Sequence, residues 1–193
     1  MNKSTIILLV VVAIVAVWAM GGYNGMVKSD ESVENAWANV QSDYQRRADL
    51  IPNLVNVVKG YAEHEKGTLE GVIEARAKAT QINLNVDDLS EENLAKFQAV
   101  QGELSSALSK LMAVAEAYPD LKANEQFSEL QSQLEGTENR IKESRNAFNA
   151  QVKEYNIKVR KFPNNILAGI FGFEKKHGFA AEAGAEKAPE VKF

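Results

Sequence analysis

A helical period runs through the chain from Val33 to Tyr61, and it constrains the fold more than any other feature. Apolar residues recur at steps of three and four: Val33, Trp37, Val40, Tyr44, then Ile51, Leu54, Val58 and Tyr61. That spacing lines one face of a helix and leaves the other polar. Two residues depart from it. Pro52 removes a backbone donor and crowds the carbonyl four residues earlier, which predicts a helix kink. Arg47 falls on the apolar stripe where Leu would be unremarkable, with Ala48 beside it to share the seam.

This first helix is expected from about Met26 to about Gln81. Gly60 and Gly67 soften it, since an isolated Gly costs about 1 kcal/mol against Ala in a helix. The stripe resumes with Leu69, Val72, Ile73, Arg76 and Ala79. Residues 83–88 have turn composition. Ser90 is placed to cap a second helix, with Asn93 where a capping box takes Glu or Gln, and Asp88, Glu91 and Glu92 suit its positive end. The second helix carries heptads at Phe97, Val100, Leu104, Ala107, Leu111, Val114 and Tyr118, and Pro119 ends it. A third, from about Asn124 to Lys161, places Phe127, Leu130, Leu134, Ile141, Phe148, Val152, Tyr155, Val159 and Phe162 on its stripe. Short loops between three amphipathic helices imply antiparallel neighbours, hence an all-α, elongated, antiparallel three-helix bundle. About 50 residues at 1.5 Å each make such a helix roughly 75 Å long.

Ahead of the bundle, Ile6 to Met20 is an unbroken apolar run, extended by Gly21, Gly22 and Tyr23. A bilayer-spanning helix needs about 17–25 residues, so the run sits near the lower end. Trp18 and Tyr23 suit an interfacial aromatic belt. The rival reading is a cleaved signal peptide with Val17-Trp18-Ala19 as its site, but the bulky Trp and the length of the run favour an uncleaved anchor. Beyond the third helix, Ile166, Leu167, Ile170, Phe171 and Phe173 crowd together before Lys175, Lys176 and His177. The expected division is a transmembrane anchor at 1–23, a helical bundle at 24–162, an apolar segment at 163–179 and a disordered tail, rich in Ala, Glu, Lys and Gly, at 180–193.

Composition removes several function classes. A formal net charge of -4 leaves no basic excess to neutralise phosphates, which argues against a nucleic-acid partner. Without Cys there are no disulfides and no thiolate metal sites. Glu63-His64-Glu65 lacks the second His of a zinc-protease helix, since position 68 is Thr68, and Tyr61 stands where a di-iron bundle would place Glu. No nucleophile elbow and no phosphate-cradling Gly-rich loop occurs. No catalytic, cofactor-binding or metal-binding residues are expected.

The run Gln45-Arg46-Arg47-Ala48-Asp49-Leu50-Ile51-Pro52-Asn53-Leu54-Val55, with Lys59-Gly60-Tyr61-Ala62 and His64-Glu65 after it, resembles the signature of the LemA family. The resemblance extends to Tyr23-Asn24, Ala36-Trp37, Tyr118-Pro119-Asp120-Leu121-Lys122-Ala123, Thr137-Glu138-Asn139, Phe148-Asn149, Tyr155-Asn156, Phe162-Pro163 and Gly172-Phe173. It implies a membrane-anchored helical protein of bacterial type with no established enzymatic activity. Some similar proteins resemble lipoproteins, with Cys just before Gly-Tyr-Asn. Gly21 stands at that position here, so lipid attachment is not available. Such relatives imply a single-pass protein of the cell membrane whose bundle lies outside the cytoplasm. The Lys/Arg count near the membrane, with Lys3 on one side and Lys28 on the other, is nearly even and does not choose.

Polar residues on or beside the seams are the sharpest candidates: Arg47 on the first helix, Glu138 and Arg145 flanking Ile141 on the third, and Asn149 and Asn156 seven residues apart. Meeting inside the bundle, they would set helix register as buried polar residues do in coiled coils. The alternatives are ordinary half-exposed positions and a ligand site. The patch Ile166, Leu167, Ile170, Phe171 and Phe173 either folds back on the bundle, packs on another subunit or partner, or lies on a membrane. With three antiparallel helices the end of the third is far from the start of the first, which favours a partner or a second membrane. The function expected is a non-catalytic, membrane-anchored helical scaffold of the bacterial envelope. Its partners are membrane lipid, through the N-terminal helix, and further copies of itself or other envelope proteins. The alternative is a ligand-sensing or regulatory adaptor for a neighbouring membrane protein.

Overall fold

The computed structural model describes residues 2–62 and 64–180. The fold is helical, with no strand among the described residues. Helix α1 spans Lys3–Tyr61, α2 Lys66–Gln81, α3 Glu91–Ala117, α4 Pro119–Lys122, α5 Glu125–Arg160 and α6 Asn164–Phe171, with a 3-10 turn at Val86–Asp88. The chain forms two compact units. Among the described residues, one comprises residues 2–50 with Glu129–His177, and the other comprises Ile51–Ser128 with residues 178–180. The tail expected at 180–193 lies, apart from Ala180, outside the described residues.

Two boundaries differ from the sequence expectation. The apolar run and the first amphipathic helix are one helix: α1 begins at Lys3 and contains Pro52 in its interior. It then stops at Tyr61, where a continuous helix to Gln81 was expected, and α2 starts at Lys66. Gly60 and Gly67 bracket this interruption, so the helix is weakest there. The expected three helices are thus divided further, and the end of α5 lies beside the start of the amphipathic part of α1, where Lys158 reaches Gly25, and not far from it.

In the first unit, α1 and α5 run antiparallel. Partners on α5 fall in number as those on α1 rise: the Lys158 ammonium donates to the Gly25 carbonyl at 3.0 Å, and the rings of Trp37 and Phe148 lie 5.3 Å apart. Met26, Val33, Trp37, Val40, Tyr44 and Ala48 of α1 are buried, as are Ile141, Phe148, Val152, Tyr155 and Val159 of α5. Burying each large apolar side chain contributes about 1.5–3 kcal/mol. Phe162, expected on the same stripe, lies beyond the end of α5 and is 75% exposed. The N-terminal part of α1 is unlike the rest. The side chains of Ile6 to Met20 are exposed apart from the half-buried Ala19, and the helix is long and apolar enough to cross a membrane by length and composition.

In the second unit, α2 and α3 form an antiparallel hairpin in which Ala79 faces Gln101 and Glu65 faces Tyr118. Ser90 caps α3 as expected, its hydroxyl accepting from the Asn93 amide at 3.1 Å. The buried stripe of α3 is Leu94, Phe97, Gln101, Leu104, Leu108, Leu111 and Ala115. Val100, Ala107, Val114 and Tyr118, expected on it, are half-buried. The polar Gln101 occupies a core position because its amide donates to the Ala79 carbonyl at 3.3 Å. Pro119 does end α3, and it also opens α4, where its missing donor is no loss.

Candidate functional site

The first unit concentrates the polar and apolar features worth weighing. Arg47 is buried on α1, and its Nη1 donates to Glu138 Oε1 on α5 at 2.6 Å. Its guanidinium also lies over the Tyr44 ring, 5.1 Å from the centroid, an attractive placement for a cation. Arg145 completes the cluster through a side-chain hydrogen bond with Tyr44. Burial raises the Tyr44 phenol above its ordinary value, and the nearby positive charges of Arg145 and Arg47 oppose that rise. Arg47, Glu138 and Arg145, three of the five seam residues expected from sequence, therefore gather around one tyrosine. Glu138 is 46% exposed, so one edge of the cluster meets solvent.

Asn156 belongs elsewhere. Its amide donates to the Lys176 carbonyl and its Oδ1 accepts from the Lys176 amide, both at 2.9 Å, clamping the extended segment after α6 onto α5. The Lys176 ammonium reaches Asp30 Oδ1 at 2.7 Å and lies 5.5 Å from the Tyr155 ring centroid. Burial pushes the Tyr155 phenol up to about 12, with Asp30 and Glu174 adding to the effect. Asn149 is half-buried one turn from Arg145.

Beside this clamp, α6 rests on the part of α1 that follows the apolar run. A Cβ on Gly22 would stand 2.7 Å from Leu167 Cδ1. Tyr23 makes edge contacts with Phe171 at 4.9 Å and Phe173 at 5.7 Å. This corrects the expectation that the apolar segment lies far from the start of the first helix. The patch is also divided. Leu167 is buried and Phe173 half-buried, while Ile166, Ile170 and Phe171 are exposed.

Among the described residues no group of three or more His, Cys, Asp or Glu is placed to hold a metal. His64 is exposed, Glu65 accepts from the Tyr118 hydroxyl at 3.2 Å, and Glu63 lies outside the described residues. The groove between α2 and α3, about 580 Å³, is lined by Lys78 together with Glu74 and Glu103, the two carboxylates with which Lys78 ion-pairs. Sequence reasoning missed Tyr44 and Lys176. Tyr44 reads as an ordinary stripe residue, and Lys176 is one of two adjacent lysines. Only the nearby Asn156 and Asp30 hint at partners for it.

The profile of the LemA family matches residues 36–193. The chain belongs to the LemA family. Among relatives of this LemA-family chain, Magnetosome protein MamQ 2 of Paramagnetospirillum magneticum is 28% identical over 88% of this chain and 68% of its own. Magnetosome protein MamQ of Magnetospirillum gryphiswaldense is 26% identical over 81% of this chain and 64% of its own. Protein LemA of Metamycoplasma hominis is 24% identical over 77% and 64%. None of these names states a reaction. The resemblance carried by the Gln45–Val55 signature is thus shown, and the apolar N-terminal helix fits a membrane anchor.

Proposed function

We propose that this LemA-family protein is a non-catalytic, single-pass scaffold of the bacterial envelope, held in the bilayer by α1 and assembling with further copies or with other envelope proteins. The observation that carries it is the continuity of α1. One helix passes from a lipid-suited, exposed apolar run at Ile6–Met20 into a packed seam at Met26–Ala48. Such a helix transmits position from membrane to bundle without a flexible joint. The relatives' names point to magnetosome and LemA proteins and to no substrate. The resemblance to lipoprotein-like relatives supports placing the bundle outside the cytoplasm. The polar cluster around Tyr44 supports a register-setting role, because the buried Arg47 charge is paired within the chain by Glu138 on the facing helix.

Mass photometry and cross-linking of the detergent-solubilised full chain test the assembly. The expected result is a concentration-dependent oligomer, and a monomer at every concentration overturns self-assembly. A reporter fused at Phe193 that is active only outside the cytoplasm supports the orientation, and one active only inside reverses it.

A further inference from the structure

The exposed face of α6 has a position as well as a composition. Ile166 and Ile170, one turn apart, are 51% and 68% exposed, and Phe162 just before the helix is 75% exposed. The adjacent face, about 100° round the helix, meets α1 through Leu167 at Gly22 and through Phe171 at Tyr23. From Lys3 to Tyr23 an α-helix rises about 30 Å, which matches the hydrocarbon thickness of a bilayer. Tyr23 therefore marks the boundary where a membrane-crossing α1 leaves the lipid, and α6 is held at that depth.

We infer that α6 is an interfacial foot, lying in the headgroup region of the same bilayer that α1 crosses, with Ile166, Ile170 and Phe162 inserted toward the acyl chains. This deepens the anchoring reading proposed above and rests on it. Three observations select lipid as the occupant. The helix that carries this exposed face sits against Gly22 and Tyr23, which directly follow the exposed apolar run of α1. Exposed aromatic residues, Trp18 and Tyr23 at the end of the apolar run and Phe162 just before α6, are of the type that settles at membrane interfaces. Cationic side chains bracket the helix: Arg160 and Lys161 precede it and Lys175 follows, all exposed, with Glu174 next to Lys175 in the chain and Asp30 paired with Lys176 as the acidic residues on that side. Apolar insertion with flanking Lys and Arg is the pattern of a helix that lies on an anionic membrane surface. The foot adds a second contact beside the spanning helix, and two contacts fix the tilt and rotation of the bundle over the membrane where one leaves them free.

The absence of Cys makes the test direct. Single cysteines Ile170→Cys, Ile166→Cys, Ile14→Cys and Glu143→Cys each carry one environment-sensitive fluorophore. The full chain is reconstituted in vesicles of equal phosphatidylcholine and phosphatidylglycerol, with or without lipids bearing a nitroxide high on the acyl chain. The expected result is loss of emission at 170, 166 and 14, and none at 143. Loss at 14 with none at either 166 or 170 overturns the foot and leaves the anchor standing. No loss at 14 overturns the anchoring reading itself and the foot with it. Blue-shifted emission at 166 and 170 without nitroxide quenching shows the face covered by a second copy and also overturns the foot. Two labelled positions on α6 keep a local disturbance at one from being read as failure.

Discussion

Arg47 Nη1 donates to Glu138 Oε1 across 2.6 Å, joining a buried guanidinium on α1 to a half-exposed carboxylate on α5. Burial of a charge is tolerated when a partner and hydrogen bonds compensate it, and removing the partner is much worse than removing both. Glu138→Ala is therefore expected to destabilise the chain by about 1–3 kcal/mol. That lies below the range for a fully buried pair because Glu138 is reached by water. Arg47→Met, which removes the charge and keeps the volume, is expected to cost about 1 kcal/mol or less. Chemical unfolding followed by far-UV circular dichroism measures both. Equal and large losses for the two variants would show that the ion pair itself stabilises the seam and does more than compensate a buried charge.

The Tyr155 phenol predicts alkaline instability. Its native value is about 12 against an ordinary 10, so the folded state holds the proton more tightly than the unfolded state. Between these values the unfolded chain binds fewer protons, and stability falls as pH rises. The contribution is complete below pH 10 and is lost as pH climbs through about 12. Tyr44, raised mainly by burial, acts in the same direction. Tyr155→Phe is expected to flatten the fall in melting temperature across this window. An unchanged slope in the variant would assign the alkaline loss to other groups.

What the sequence disclosed follows from how local each signal is. Ser90 and Pro119 mark helix ends through chemistry confined to a few residues, and both ends lie where that chemistry puts them. Arg47 and Glu138 were readable as a pair because each sits at or beside a seam position. The interruption between Tyr61 and Lys66 was not readable, because two glycines worth about 1 kcal/mol each weaken a helix without deciding whether it breaks. Gln101 was passed over for a different reason. Its core position is acceptable only with the Ala79 carbonyl opposite, a relation between two helices that neither helix encodes alone. The placement of α6 failed by inheritance, since it was deduced from a helix count that the interruption changes.

Gly22 is where α6 meets α1 most closely. A Cβ there would lie 2.7 Å from Leu167 Cδ1, the mobile end of a side chain, and 3.4 Å from Asn164 Oδ1. Gly22→Ala is expected to be absorbed by a small rotation of Leu167. Gly22→Leu cannot be, and overpacking of this kind costs about 1–3 kcal/mol. Amide exchange at Leu167 and Ala168 is expected to quicken roughly tenfold or more in the Leu variant, with α3 unaffected. Unchanged protection in α6 would mean that the helix is held by other contacts, Tyr23 with Phe171 foremost.

Asn156 makes two hydrogen bonds to the backbone of one residue, Lys176, and so mimics a strand partner for the segment that follows α6. Each such bond contributes about 0.5–1.5 kcal/mol net, so Asn156→Ala loosens the segment by roughly 1–3 kcal/mol. The same change withdraws the geometry that brings the Lys176 ammonium to Asp30 and over Tyr155. Limited trypsin digestion of the native chain reads this at Lys175 and Lys176, where the variant is expected to be cut faster than the wild type. Asn156→Asp separates the bonds from the side chain's bulk. It keeps an acceptor for the Lys176 amide but turns a carboxylate oxygen toward the Lys176 carbonyl, so it is expected to be cut as fast as the Ala variant. Wild-type resistance in Asn156→Asp would show that the amide-to-carbonyl bond is dispensable and that the ion pair with Asp30 fixes the segment.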